Sequence, residues 1–268
     1  MNLSFEKVIL IVGAGAVENS WQPIIKVLEP EYNFEFDSDA ANCFLALMVY
    51  QLRFLANQKD ENSKQYLKQM LFDFTEIKSR VARELITFQK NKLISPRKEY
   101  FSILDKFIFQ KHVKFALMST NWDTVIDDAT NYYGHSNEPI SNGLIPTFHI
   151  HGSIVNPSGL YLPSEITKEP YRTESEDLNM IKNHATVAKA IADCNRVILY
   201  GLSLDPLDAE LLQILGIGWD SDNLREIIVI NPDHKKIAKR VKLVLNDFKR
   251  NINLIAYSPD DLTTKIQY

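Results

Sequence analysis

The chain reads as an α/β protein built on a Rossmann-like, doubly wound, mostly parallel sheet with a helical insertion after the first strand. Three features predict this. Short β-branched runs without alternation, such as Lys7–Val12 and Arg196–Tyr200, have the composition of strands buried on both faces. Each run stops at a cluster of Gly, Asn, Ser or Asp, as strands do at the carboxyl edge of a parallel sheet. Helical periodicity fills the stretches between runs, which is what parallel neighbours require of their connections.

The bulk numbers fit one domain over 1–268. With 45% hydrophobic and 24% charged residues, a sizeable core is available. A net charge of −4 lacks the basic balance of a nucleic-acid binder, so direct nucleic-acid binding is not expected. Cys43 and Cys194 are the only cysteines, which excludes a disulfide framework and any four-cysteine zinc module. The first residues lead straight into a strand without a basic-then-apolar leader. No apolar run approaches the ~20 residues that span a bilayer. The expectation is a cytoplasmic protein with no membrane partner.

Lys7–Val12 is the first strand, and it turns into Gly13-Ala14-Gly15-Ala16. Small residues alternating with glycines let a backbone approach a pyrophosphate, with free amides of a helix start aimed at it. The dinucleotide fingerprint asks for a third glycine three residues after Gly15, where Glu18 stands, so a purely structural turn remains an equal reading. From about 37 to 110, Phe44, Leu45, Met48, Leu52 and Leu55, then Tyr66, Met70, Ile77, Val81, Leu85 and Phe88, recur at helical spacing. These amphipathic helices form the insertion, a candidate cover for the crevice or a subunit contact.

Val113–Met118 is the next strand, and Ser119-Thr120-Asn121-Trp122-Asp123 follows where it ends. Asn121 and Asp123, two apart at the carboxyl edge, can hold a water and an amide from one short loop. The plain alternative is a helix cap. A helix runs from there to about Tyr133, then a loop rich in Asn, Gly and Pro. In Thr147-Phe148-His149-Ile150-His151-Gly152, alternation puts His149 and His151 on one face of an extended segment. A catalytic zinc needs a third protein ligand, and none is identifiable, so no metal is expected. His151 before a glycine suits a general base or a cation-facing group, against a satisfied structural histidine.

Residues 158–185 make a polar loop with Pro163 and Pro170, a flap or a connector, and then a helix. The strand Arg196–Tyr200 leads into Gly201-Leu202-Ser203-Leu204-Asp205-Pro206. Gly201 allows close backbone approach and Ser203 offers a hydroxyl, while Asp205 with Pro206 is also a plain helix start. Arg225–Ile230 ends at Asn231-Pro232-Asp233. The helix from His234 to Phe248 carries five cations that read as a solvated face. Asn251–Tyr257 is a last edge strand.

Five pieces now stand in order at strand exits: Gly13-Ala14-Gly15, Thr120-Asn121-Trp122-Asp123, His151-Gly152, Gly201-Leu202-Ser203 and Asn231-Pro232. Over nearly the whole chain this set resembles the sirtuin family of NAD+-consuming proteins, and within it the bacterial branch of antiphage defence. The resemblance implies that Gly13, Ala14 and Gly15 cradle the NAD+ pyrophosphate. It implies that Asn121 holds a water or ribose hydroxyls, that Asp123 meets the nicotinamide carboxamide, and that His151 faces the same ribose. Gly201 and Ser203 would contact phosphate, and Asn231 the adenosine ribose. Departures bear on substrate. Val17 stands where sirtuin deacylases place Ser, and Glu18-Asn19-Ser20-Trp21 replaces a Pro-Asp-Phe-Arg-like stretch. The zinc module that helps present an acylated peptide is absent.

These readings lead to an expectation of NAD+ hydrolysis at the nicotinamide–ribose bond, with NAD+ as substrate and no metal. The rivals are an NAD+-dependent protein deacylase and a non-hydrolysing NAD+ or ADP-ribose sensor. If the chain is a defence effector, the expected trigger is self-assembly into a homo-oligomer, an activating partner protein or a small ligand.

Overall fold

A computed structural model of the chain describes residues 5–137, 144–245 and 252–263. In chain order these form β1 (Glu6–Val12), β2 (Val17–Glu18), α1 (Gln22–Tyr32), α2 (Ser38–Ala56), α3 (Glu61–Lys90), β3 (Ser95–Pro96) and α4 (Glu99–Ile103), which runs into a π-helical turn (Leu104–Ile108). Then come β4 (Val113–Ser119), α5 (Val125–Asn137), β5 (Thr147–His149), α6 (Glu174–Ala192), β6 (Arg196–Tyr200), α7 (Ala209–Trp219), β7 (Glu226–Ile230), α8 (His234–Leu245), β8 (Asn253–Tyr257) and α9 (Asp260–Thr263). Parts of two predicted elements, the end of the helix toward Phe248 and the start of the strand at Asn251, lie outside the described residues, as does part of the loop after Tyr133.

Six strands pair in the order β5-β4-β1-β6-β7-β8, and every pairing is parallel. Counting only these strands along the chain, the order is 3-2-1-4-5-6, the Rossmann arrangement, with its reversal between β1 and β6. Register aligns the exits. His149, Ser119, Val12, Tyr200, Ile230 and Tyr257 form one continuous row across the sheet, so six loops leave from the same edge.

Period two sorts the core onto two faces. Val8, Leu10 and Val12 of β1, with Ile198, Tyr200, Ile228 and Ile230, pack against the helices of the first half. Ile9 and Ile11, with Val197, Leu199, Ile227 and Val229, pack against α6, α7 and α8. A strand buried on both faces must be apolar at every position, which is why these runs show no alternation.

The insertion leaves and returns at one place. β2 pairs antiparallel with β3, Val17 opposite Pro96 and Glu18 opposite Ser95, so α1, α2 and α3 form an excursion whose two ends meet beside the first loop. Asp37 and Asp60 start α2 and α3 by accepting the amides of Ala40 and Ser63. No helix among the described residues is long and apolar enough to cross a membrane.

Candidate active site

A cleft of about 1050 Å³ opens along the carboxyl edge of the sheet. Gly13, Ala14, Gly15, Asn121, Asp123, His151, Gly201, Ser203 and Asn231 all line it, although they come from five loops spread over more than two hundred residues.

The two loops at the switch point touch backbone to backbone. The amide of Gly13 donates to the Tyr200 carbonyl and that of Gly15 to the Gly201 carbonyl, both at 2.9 Å. Gly201 has φ +66°, and a Cβ built on it would lie 2.3 Å from the Ala16 nitrogen. The glycines are therefore required first by each other. The expected passage from β1 straight into a helix is not what forms. Ala14–Ala16 is a single 3-10 turn, and the first long helix waits until Gln22. With the Gly13, Gly15 and Ala16 amides bonded inside the protein, the Ala14 amide opens the turn with no carbonyl within it to meet. Arg97 reaches the same loop from the returning end of the insertion, its Nε donating to the Gly15 carbonyl at 3.0 Å.

After β4 the chain is pinned on both sides of Asn121. Its amide donates to Ser119 Oγ at 3.0 Å, and its carbonyl lies 2.9 Å from His149 Nδ1. The residue is 7% exposed, and neither polar atom of its side chain has a partner. Leaving a buried polar group unpaired costs about 1–3 kcal/mol. Asp123 is 3% exposed and caps α5, Oδ1 accepting from the Val125 amide at 3.0 Å, so the plain helix-cap reading holds at this residue. Burial pushes its carboxyl up to about 6, against the opposing pull of the Val125 amide and His149.

The two histidines part company. β5 ends at His149, and the turn that follows breaks the alternation expected to put both rings on one face. His149 Nε2 pairs with Asp127 at 3.1 Å, which fastens β5 to α5. Burial lowers its imidazole, but Asp127 outweighs that and the net shift is upward. His151 instead faces the cleft, Nε2 lying 3.4 Å from Asp208 Oδ1 and the ring stacked on Tyr161 at 5.3 Å and 19°. Burial opposes its charge, yet the Asp208 carboxylate, with Glu165 and the Thr120 backbone adding to it, raises it.

No family model matches the chain, and no curated protein matches it. Among solved structures it is similar to one from work on the structural basis for the mechanism and regulation of Sir2 enzymes. That likeness has 12% identity and a TM-score of 0.39, covering 98% of this chain and 91% of the other. The Rossmann-like fold rests on the strand order and register.

At the far end of the cleft Asn231 already works for the fold. Its Nδ2 donates to the Leu202 carbonyl at 3.0 Å and its Oδ1 accepts the Asp233 amide at 2.8 Å. Ser203 is exposed beside it, its carbonyl held by Arg240 at 2.7 Å. Asp205 caps the turn Pro206–Asp208 through the Leu207 amide, as its sequence predicts.

Three cleft residues escape sequence reasoning: Asp208, Tyr161 and Arg97. Tyr161 belongs to the polar stretch read as flap or connector, and that stretch is tied down by buried charge. Glu165 accepts from the Leu162 amide and from Arg172, and pairs with Lys78 of α3. Glu169 takes a two-pronged bond from Arg53 of α2. The Tyr161 backbone in turn accepts from Trp122 Nε1 and donates to the His151 carbonyl, joining three loops.

Proposed function

We propose that the protein hydrolyses the N-glycosidic bond of NAD+, releasing nicotinamide and ADP-ribose. The observation that carries this reading is the Asn121 carboxamide. It is buried, unpartnered at both polar atoms, and lies in a cleft at the switch point of a Rossmann sheet. A buried polar group without a protein partner calls for an explanation, and a ligand that completes it is the one a cleft position favours. A cleft of about 1050 Å³ is of the size a dinucleotide needs, and the Gly13, Gly15 and Gly201 loops, with Ser203 and Arg97 also lining it, suit a pyrophosphate. The ordered loop motifs that resemble sirtuins point the same way.

The chemistry follows from what the cleavage demands. The bonding pair leaves with the nicotinamide nitrogen, whose charge is thereby neutralised, and positive charge appears on the ribose. Water then adds its oxygen to the ribose carbon, and its proton passes to the neutral His151 imidazole as general base. Asn121 orients the water or a ribose hydroxyl without ionising, and His151 holds the ribose. Asp123 uses the oxygen not engaged by Val125 to accept from the nicotinamide amide. Asp123 and Asp208 bring negative charge to this end of the cleft, where it stabilises the developing cation. As in glycoside hydrolysis, positioning and electrostatics do the work. Asn231 meets an adenosine ribose only with the lone pair and N–H left over from its loop-fastening bonds.

Incubation with NAD+, with nicotinamide followed by chromatography, tests this directly. Asn121→Ala and His151→Ala should each lower turnover about a hundredfold or more. Sustained release unchanged in both variants refutes the residue assignment. Release that requires an acylated peptide identifies a deacylase, and tight binding of ADP-ribose without any release identifies a sensor. The biological setting we propose is antiphage defence by NAD+ depletion, triggered by self-assembly or by a partner chain.

A further inference from the structure

We infer that Asp208 is the positioning residue for His151, holding its imidazole by Nε2 against the Tyr161 ring. Only the kinetic arm of its test rests on the NAD+-cleaving reading.

Both partners are fixed from behind. Asp208 closes the turn Pro206–Asp208, its amide donating to the Asp205 carbonyl at 2.9 Å, while the Leu207 carbonyl accepts from the Ser164 amide at 2.8 Å. His151 has its carbonyl on the Tyr161 amide at 2.9 Å and its ring face on the Tyr161 ring. Its side chain is 12% exposed and that of Asp208 is 25%, so the carboxylate touches cleft solvent while the imidazole is nearly enclosed. At 3.4 Å the contact is looser than an ordinary hydrogen bond, and it is an ion pair when the imidazole is protonated. A reacting hydroxyl can therefore approach Nε2 without first breaking a tight bond.

Charge of both signs surrounds the pair, with Lys78 and Arg172 both on Glu165 and a carboxylate nearest the imidazole. Asp208 and Glu165 act on His151 directly. Arg172 lies over the Tyr161 ring at 5.5 Å, and His184 of α6 meets the edge of that ring, with Glu210 of α7 3.5 Å from His184. Arg172 is itself occupied by Glu165 and Asp177. With a carboxylate 3.4 Å from Nε2, the protonated form of that nitrogen is the one the site favours. Asp208 thus sets both the direction of the ring and its readiness to hold a second proton.

The test is a pH titration of the histidine rings by two-bond proton–nitrogen NMR on the full chain without nucleotide. The His151 signal among six histidines is assigned by its loss in His151→Gln. In the wild type, His151 should titrate above free histidine in the same buffer, and in Asp208→Asn its midpoint should move to lower pH. A wild-type midpoint at or below free histidine overturns the inference, as does a midpoint that stays put in a folded Asp208→Asn. If that variant does not fold, the wild-type titration decides alone. In turnover, Asp208→Asn should lower kcat on the order of tenfold with KM nearly unchanged, and the limb of the pH profile set by His151 should move with the NMR midpoint. Because the titration needs no substrate, a chain that fails to cleave NAD+ refutes the proposed function and leaves the Asp208 result standing.

Discussion

Replacing Gly201 with Ala tests whether the two loops at the switch point meet as described. Gly201 has φ +66°, and its Cβ would lie 2.3 Å from the Ala16 nitrogen and 2.5 Å from the Gly15 carbonyl carbon. Both are backbone atoms, so no rotamer change relieves the clash. Holding an L-residue in the left-handed region costs about 1–2 kcal/mol, and forcing packed backbone apart costs about 1–3 kcal/mol more. The sum, about 2–5 kcal/mol, is a large share of the 5–15 kcal/mol by which domains are stable. For a chain of this size that lowers the thermal midpoint by roughly 10 °C. It also loosens the bonds from Gly15 to Gly201 and from Gly201 to the Ile230 carbonyl, so affinity for ADP-ribose should fall with it. Circular dichroism against temperature and urea measures the first effect, and calorimetry the second. Gly159→Ala is the control, because its Cβ would come no nearer than 3.3 Å to the mobile end of Asn156. A Gly201→Ala protein within about 0.5 kcal/mol of wild type, the scatter of neutral surface changes, would refute the loop–loop contact.

Three further outcomes are expected. Asn121→Leu replaces an orphaned amide by an apolar group of similar size, so urea unfolding should show a gain of about 1 kcal/mol while nicotinamide release is abolished; a loss of stability would mean the amide is paired. Asp123→Asn keeps the α5 cap but removes a buried carboxyl raised from 3.8 to about 6. Below pH 4 that carboxyl is protonated folded and unfolded alike, and between pH 4 and 6 only the unfolded chain ionises. The variant should therefore be more stable by on the order of 2–3 kcal/mol above pH 6 and equal to wild type below pH 4, which urea midpoints against pH will show. Glu165→Gln leaves Lys78 without its buried counter-charge and Arg172 with Asp177 alone and should cost about 3–5 kcal/mol. Glu61→Gln, which breaks a pair between exposed side chains, should leave the midpoint in place.

The sheet was legible because its strands are buried on both faces. Val-Ile-Leu-Ile-Val from 8 to 12 and Val-Ile-Leu from 197 to 199 admit few other structures, and the polar cluster after each marks its exit. The return of the insertion to its point of departure was not legible. β2 and β3 contribute two residues each, too short for any periodicity. The same shortness hid the end of β5. Three residues cannot establish whether alternation continues, and reading it through to His151 placed two histidines on one face that in fact serve opposite partners, Asp127 and Asp208.

Within the site, what could be read was the set of residues that announce themselves by type at a strand exit. Glycines, Asn121 and His151 do so, since each breaks the residue type abruptly where an apolar strand has just ended. Asp208 gives no such sign. It stands three residues beyond a capping Asp and next to a helix, where an acidic side chain favours the amino end of the helix dipole in any protein. Its second role comes only from the turn that points it at a histidine 57 positions earlier, a relation with no local spacing. Tyr161 is hidden for the same reason, because its partners Trp122, His151 and Arg172 lie on three separate stretches. The division is physical. A residue that must exclude a Cβ or bury an amide leaves its mark in its own position, whereas a residue that orients another leaves it in a distance between two.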